Sequence, residues 1–365
     1  MSRTIKEYLL EVDDFREPKK CRHRLADILI IGLCTYLSNG HDYEDMVLFA
    51  QTHANSLAEL VELPNGIPSH DTFRRIFQLL DSKEIKKILT AHGHDILDVL
   101  AQKQICIDGK KLGGVSPTSK GNQGLYLVNA WVSENRLCVG QQKVADKSNE
   151  ITAIPALLRQ LDLTDAVVSI DAMGCQTQIA QQIYEQKGHY LLALKANQGE
   201  LLAEVECAFK ACKALTSEAE WAYDRDRFET RRCSILSACS SVGAEYVVPW
   251  KGLETLVKIN STRLIKGTEV EETRYYLSSE SPGDALYFNK LSRGHWGIEN
   301  HLHWHLDVTF EEDSCRVRTG NGPENLATLR KFALQIITQR KDKLSLKKRR
   351  VKAAYDVDYL KELLL

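Results

Sequence analysis

The sequence has no apolar run long enough to cross a bilayer. Its longest, ILIIGLCTYL at 28–37, has ten residues, half the roughly 20 that a spanning helix needs. Lys19, Lys20, Arg22 and Arg24 precede it, but it begins too far into the chain for a signal peptide. Ser38-Asn39-Gly40 reads as a helix stop rather than a cleavage site. No CxxC occurs among the ten cysteines, which argues against a zinc ribbon or a disulfide framework. Reduced thiols in a cytoplasmic setting, nearly all buried as small hydrophobes, are expected instead. HExxH and GxxxxGK[ST] are absent too, which removes the metalloprotease order and the ATP-driven motor. Charge of one sign is also lacking: 48 Lys and Arg stand against 49 Asp and Glu. A uniformly basic nucleic-acid coat is excluded, and a local patch is not.

What is there is a folded soluble protein, 43% hydrophobic and 27% charged over 365 residues, long enough for about two domains. Residues 1–103 read as an all-α domain, with apolar residues at three- and four-residue spacing in LADILIIGLCTYL, YEDMVLFAQTHANSLAELVEL and HDTFRRIFQLLD. Ser69 or Asp71 can cap the last of these helices, which presents Arg74 and Arg75 early. Such a helix suits a DNA groove, or simply the surface of a helical bundle. From 104 the pattern changes to short β-branched runs, giving the order β-β-β-α-β-α-β, with Ser148 expected to cap the helix at 148–162. A β-rich insertion is expected at about 221–278, then helices at about 284–306 and from Pro323 to about 340. Residues 341–365 form a basic tail. Within 339–352 there are eight Lys or Arg and one Asp, whereas 41–63 holds five acids and no Lys or Arg. A polyanion partner and a solvated, frayed terminus both fit the tail.

Two aspartates end apolar runs, Asp108 in ICID and Asp171 in VVSID. Three strands and a right-handed crossover lay the fourth strand parallel to the first. If those two strands are neighbours, both carboxylates meet at one sheet end, where desolvation demands a partner such as a divalent metal. The third acid is expected from HWGIENHLHWHLDVTFEEDSCR (295–316), where Ile298, Leu302 and Leu306 with His305 form the apolar stripe. Glu299 lies about 60° from Leu302 on a regular helix, at the edge of that stripe. Three carboxylates suit Mg²⁺ or Mn²⁺, and a pair of ions would activate both oxygens of a phosphodiester displacement. A rival reading uses His295, Glu299, His303 and Asp307 at four-residue intervals, and the His301–His305 pair, to hold zinc for a hydrolase.

DGKKLGG (108–114), DKSNEITAIPALL (146–158), SIDAMGCQ (169–176), YLLALKANQ (190–198) and HWGIENHLHWHLDVTFEEDSCR together resemble bacterial insertion-sequence DDE transposases, in their H-repeat-associated branch. The resemblance runs from about residue 8 to about 340. It implies an RNase H-like α/β catalytic domain at 104–340 with a mixed sheet, preceded by an associated helical domain. It also implies metal-dependent cutting of transposon-end DNA and transfer of the 3′-hydroxyl to a target, by a cytoplasmic, nucleoid-associated protein that pairs two ends as a homodimer. Matched motif by motif, the triad falls on Asp108, Asp171 and Glu299, with two Mg²⁺ ions, replaceable by Mn²⁺. Lys110, Lys195, Asn197, Gln198, Arg227, Arg231, His295 and Trp296 are the candidate contacts to double-stranded DNA. Three departures stand out: Gly113 replaces an expected Arg, the insertion keeps only part of a His-Gly-Arg-x-Glu-x-Arg run, and Ser292, His295 and Leu306 replace the Tyr, Arg and Lys that the wider superfamily sets around its Glu. A DNA-binding relative that no longer cuts is the alternative from another class.

Overall fold

The structure is a computed structural model that describes residues 3–97, 99–115, 124–145, 148–224, 227–265 and 267–364. Six helices lead: α1 (Ile5–Leu10), α2 (Leu25–Leu37), α3 (Tyr43–Thr52), α4 (Ala54–Leu57), α5 (His70–Leu79) and α6 (Ser82–Ile96). The Ser69 hydroxyl accepts from the Thr72 N–H and so caps α5, satisfying a donor that the first helical turn leaves free. The run at 28–37 is buried nearly all round within α2, as a core helix should be. Among the described residues no helix is long and apolar enough to cross a membrane.

The strands follow: β1 (Gln104–Lys111), β2 (Tyr126–Val132) and β3 (Leu137–Lys143), then α7 (Glu150–Leu158), β4 (Val167–Ile170), α8 (Thr177–Glu185), β5 (His189–Leu194) and α9 (Gly199–Ala211). Next come β6 (Thr216–Asp224), β7 (Arg227–Ser237), the short α10 (Ala238–Ser241) and α11 (Ala244–Val247), β8 (Thr255–Ile265) and β9 (Thr268–Ser278). These nine strands join one sheet in the order β3-β2-β1-β4-β5-β9-β8-β7-β6. The β1–β4 and β4–β5 pairs are parallel, and the remaining pairs are antiparallel. The expected meander and crossover are therefore present, and the insertion strands extend the same sheet through β9. Ser148 does not cap α7; Asn149 holds that position without a side-chain bond, and the Ser148 hydroxyl meets Thr152 instead.

One face of the sheet buries Ile105, Ile107, Val168, Ile170, Leu192 and Leu277 with α7, α8 and α9. The other face is covered by α12 (Ala285–His295), a wide π-helical turn (Ile298–His303), α13 (Trp304–Val308) and α14 (Gly322–Gln339). Cys106, Trp131, Ile298, Leu302 and the apolar side of α14 share one cluster with α2, α5 and α6. The leading helices thus bury their apolar faces against the same helix that backs the sheet. Of the cysteines, Cys34, Cys106, Cys138, Cys175 and Cys233 are buried, but Cys207, Cys212 and Cys239 are exposed. This corrects the expectation that nearly all would be core residues.

The basic tail is not frayed. It folds as α15 (Leu346–Tyr355) and α16 (Val357–Leu364), which bury Ala353, Tyr359, Leu360, Leu363 and Leu364. Arg350 is fully buried; its guanidinium donates to the carbonyls of Tyr36 (2.8 Å), Gly40 (3.2 Å) and Thr309 and lies over the Phe310 ring. Arg349 donates to the Asp342 carboxylate and to the Ile337 carbonyl. These two arginines hold chain ends together and cannot meet a polyanion, whereas Lys347 and Lys348 remain exposed. Arg350→Ala should cost on the order of 3 kcal/mol in urea unfolding, because buried carbonyls lose their donor. Lys348→Ala should change stability by no more than about 0.5 kcal/mol.

Candidate active site

The site begins with strand register. Along the parallel β1–β4 pair, Cys106 faces Ser169 and Ile107 faces Ile170. Asp108 and Asp171 come next on their strands. Side chains alternate across a sheet, so both carboxylates fall on the face that carries Cys106 and Ser169, beneath the helical cover. Gly109 follows Asp108 for a steric reason: a Cβ there would lie 2.3 Å from Glu150 Oε1. Asp171 Oδ1 accepts from the N–H groups of Met173 (3.1 Å) and Gly174 (3.4 Å), which sets the carboxylate at the start of a tight turn.

Glu299 enters from above, one residue into the π-helical turn, exposed between the buried Ile298 and Leu302. A regular α-helix was expected there. The π turn is wider than an α turn and is a common device at functional sites; it resets the phase of everything after it. Asp307 is engaged by Lys110, whose Nζ lies 2.5 Å from its Oδ1.

The three acids share a field. Burial raises the Asp108 carboxyl to about 7, helped by the negative charges of Asp171, Glu150 and Glu299 and opposed by a bond from the Gly109 N–H. Burial also raises Glu299, with Arg274 pulling it down and Asp171 pushing it up. Glu150, missed in the sequence, is a fourth carboxylate: it is buried at the first turn of α7, accepts from the Tyr126 hydroxyl, and is raised by burial and by Asp171. Its signal was a Glu directly after the SN of DKSNEI, on the element that crosses over beside Asp108. His303, on the π turn, places Nδ1 3.4 Å from Asp108 Oδ2. Burial lowers it to about 3, so at neutral pH it is an uncharged neighbour.

The predicted DNA contacts fare unevenly. Arg231 is 5% exposed and donates to Asn289 Oδ1 (3.1 Å) and Ser292 Oγ (2.7 Å), so it ties β7 to α12 instead of meeting phosphate. Lys110 is 7% exposed and committed to Asp307. His295 sits 3.1 Å from Ser169 Oγ, and burial holds it at about 4, so it offers no positive charge at neutral pH. Asn197 donates to the Ala172 carbonyl (2.7 Å) and Gln198 to the Cys175 carbonyl (3.0 Å); both brace the turn that follows Asp171. One face of Trp296 is covered by the Arg274 guanidinium at 4.5 Å. Lys195 is exposed at the strand end. The Arg227 side chain lies outside the described residues.

Among the described residues no three His, Cys, Asp or Glu side chains close into a ready-made metal cage. That holds for the carboxylates and for the histidines alike, and the two sets differ in their neighbours. The histidines diverge to separate partners: His295 to Ser169, His303 to Asp108, and His305 to Thr309. A zinc site on that helix is not assembled. The carboxylates of Asp108, Asp171 and Glu299 have no Lys or Arg within ion-pair distance among the described residues. Hard oxygen donors with uncompensated charge fit a divalent cation.

Residues 100–336 match the family model described as "Transposase DDE domain", and residues 6–92 match the one described as "DDE_Tnp_1-associated". The chain is a DDE transposase family member. "Putative transposase YncI" of Escherichia coli O157:H7 is 34% identical, with 99% of this chain and 94% of that protein aligned. "H repeat-associated putative transposase YhhI" of Escherichia coli (strain K12) is also 34% identical, over 99% and 97%. A Xanthobacter autotrophicus protein described only as "Uncharacterized protein in dhlA 3'region" is 40% identical over 71% of this chain and 88% of its own. The mixed sheet is thus the RNase H-like core of the DDE family, with a helical region ahead of it.

The raised Asp108 has a consequence for stability. Its folded pKa of about 7 exceeds the usual carboxylate value, so between about pH 4 and 7 the folded protein holds a proton that the unfolded chain has lost. Ionisation therefore destabilises the metal-free fold increasingly up to about pH 7, and by a constant amount above it. In EDTA, Asp108→Asn should gain stability over the parent across that interval, with the gap levelling off above it. Urea unfolding at a series of pH values measures this, and a pH-independent gap would contradict it.

Proposed function

We propose that this transposase family member cuts DNA at transposon ends and joins the freed 3′ end to a target, with Asp108, Asp171 and Glu299 as its catalytic acids. The observation that carries the reading is the register of β1 and β4. It sets two carboxylates side by side at one sheet end, beneath a third from the π turn and without a cationic side-chain partner among the described residues. These three would hold Mg²⁺, or Mn²⁺ in its place, as a pair of ions that supply Lewis acidity to the attacking and leaving oxygens.

Hydrolysis adds water across a P–O3′ bond and leaves a 3′-hydroxyl and a 5′-phosphate. The 3′-oxygen then attacks a target phosphodiester, whose own 3′-oxygen leaves with a proton. In both steps the chain's work is positioning. The N–H groups of Met173 and Gly174 fix Asp171, while Asn197 and Gln198 brace the turn beyond it. Glu150, anchored by Tyr126, adds negative charge beneath the pair and favours cation occupancy. Exposed lysines such as Lys195 contact the phosphate backbone, which positions the duplex without reading sequence. Two ends held together call for a homodimer on DNA, and the setting is the bacterial cytoplasm at the nucleoid.

The test uses purified full-length protein and a plasmid carrying the gene with its flanking DNA, with nicks mapped in magnesium. Asp108→Asn, Asp171→Asn and Glu299→Gln should each lower cleavage about a thousandfold or more, since no ligand substitutes for a lost acid. Binding to the same DNA should survive. Asp307→Asn should retain measurable cleavage, because Asp307 serves Lys110. Loss with Asp307→Asn and retention with Glu299→Gln would move the third acid. Binding without any cleavage by the parent protein would favour a non-cutting relative.

A further inference from the structure

The catalytic face holds, near the acids, a cation without a role in the strand-cutting reading. Arg274 lies on β9, next to β5 in the sheet. Ala193 pairs with Tyr276 and Leu194 with Tyr275, while Ile170 pairs with Leu192. Extending the register one residue sets Asp108, Asp171, Ala193 and Tyr276 on one line across the four strands. Because β9 runs antiparallel to β5, Arg274 stands two residues nearer the end at which β1 and β4 open. It also shares the face of Tyr276, which is the face of the acids.

Its surroundings agree with that placement. The guanidinium stacks at 4.5 Å on Trp296, three residues before Glu299, and its charge acts on both Glu299 and His295. Nε and Nη2 donate to Glu272 at 2.7 and 2.9 Å, and neither bond uses Nη1. The side chain is 19% exposed. It is clamped on one edge and on one face, so ordering it costs little on binding. Two other cations of this face are committed elsewhere: Arg231 is buried against α12, and Arg293 faces Glu220 at 3.4 Å.

We propose that Arg274, supplied by the last strand of the insertion, is a catalytic residue that meets the DNA phosphate held at the three acids, with Nη1 donating to a non-bridging oxygen. The proposal rests on the strand-cutting reading. The phosphate gains negative charge as the attacking oxygen adds, so a fixed cation binds the transition state more tightly than the ground state. The insertion thereby acquires a function, since β9 delivers a positive charge to a site where β1 and β4 deliver negative ones.

Three measurements on the full-length protein test this. First, Mn²⁺ binding without DNA, followed by electron paramagnetic resonance, should tighten several-fold in Arg274→Gln, because a repelling charge is gone. A purely structural arginine would leave it unchanged or weaken it. Second, a 40-base-pair duplex taken from the DNA flanking the gene is bound in Ca²⁺, with methylphosphonates replacing phosphates one at a time. At the contacted position neutralisation should cost the parent about tenfold in affinity and cost Arg274→Gln nothing further. Third, magnesium-dependent nicking should fall about a hundredfold in Arg274→Gln, as for other lost transition-state donors, with partial recovery in Arg274→Lys. Unchanged Mn²⁺ affinity together with additive losses at every phosphate would overturn the proposal. Arg274→Ala serves if the glutamine variant misfolds. Asp108→Asn is the separate control: Mn²⁺ binding as tight as in the parent would sink the reading of the acids themselves, whatever Arg274 does.

Discussion

The site depends on the parallel pairing of β1 with β4. Two strands, far apart in sequence, run the same way, and their pairing ends at Ile107 and Ile170, so Asp108 and Asp171 follow on one face where β4 stops and β1 runs on beside β2. No local interaction could achieve this. It requires the crossover through α7, whose first turn brings Glu150 against Gly109. Burial, with the negative charges of Asp171, Glu150 and Glu299 nearby, then raises the Asp108 carboxyl to about 7. Under the proposed reading, function and instability have the same origin: the charge that would attract a divalent cation is the charge the metal-free fold must hold at some cost.

The remaining architecture serves to hold the third acid above that pair. α14 is buried along nearly its whole length. It packs between the sheet and the leading helices and carries a polar seam of its own, in which the Lys331 Nζ donates to Gln141 Oε1 and Asn325 donates to the carbonyls of Phe77 and Leu80. Arg350 then fastens α15 to the end of α2 and to Thr309 just beyond α13. The π turn is therefore anchored downstream by residues from both ends of the chain. A helix on a mobile support would hold Glu299 poorly, and the leading helices, which share a core with the sheet face that carries the acids, stiffen that support.

Charge in this molecule is used inside more than its composition suggests. Arg231, Lys110, Arg349 and Arg350 all lie buried and serve as multiple donors at joints between elements. Guanidinium suits such joints because its planar fork satisfies several carbonyls or amides at once. Other arginines do stay exposed, among them Arg74, Arg75, Arg232 and Arg318, together with many of the lysines. Fewer cations therefore reach solvent than the count of Lys and Arg implies.

Sequence by itself determined the β-β-β-α-β-α-β order, a helix cap at Ser69 or Asp71, and the acids that end the apolar runs ICID and VVSID. These follow from periodicity, turn chemistry and the cost of burying a lone carboxylate, all of which act over a few residues. Family membership was legible for a related reason: five ordered motifs lie on the elements that face the site. Tertiary structure alone decided the rest. Whether an arginine reaches solvent depends on what packs over it, so Arg231 looked like a phosphate contact and proved to be a joint, and Arg350, in a tail that fitted either a polyanion partner or a frayed terminus, is a joint as well. The π turn at Glu299 left no mark in the apolar spacing, because Ile298, Leu302 and Leu306 fit an α-helix equally well; only packing on the sheet selects the wider turn. Glu150 gave only the signal of its place in DKSNEI and Arg274 gave none, since each reaches the site from an element distant in sequence.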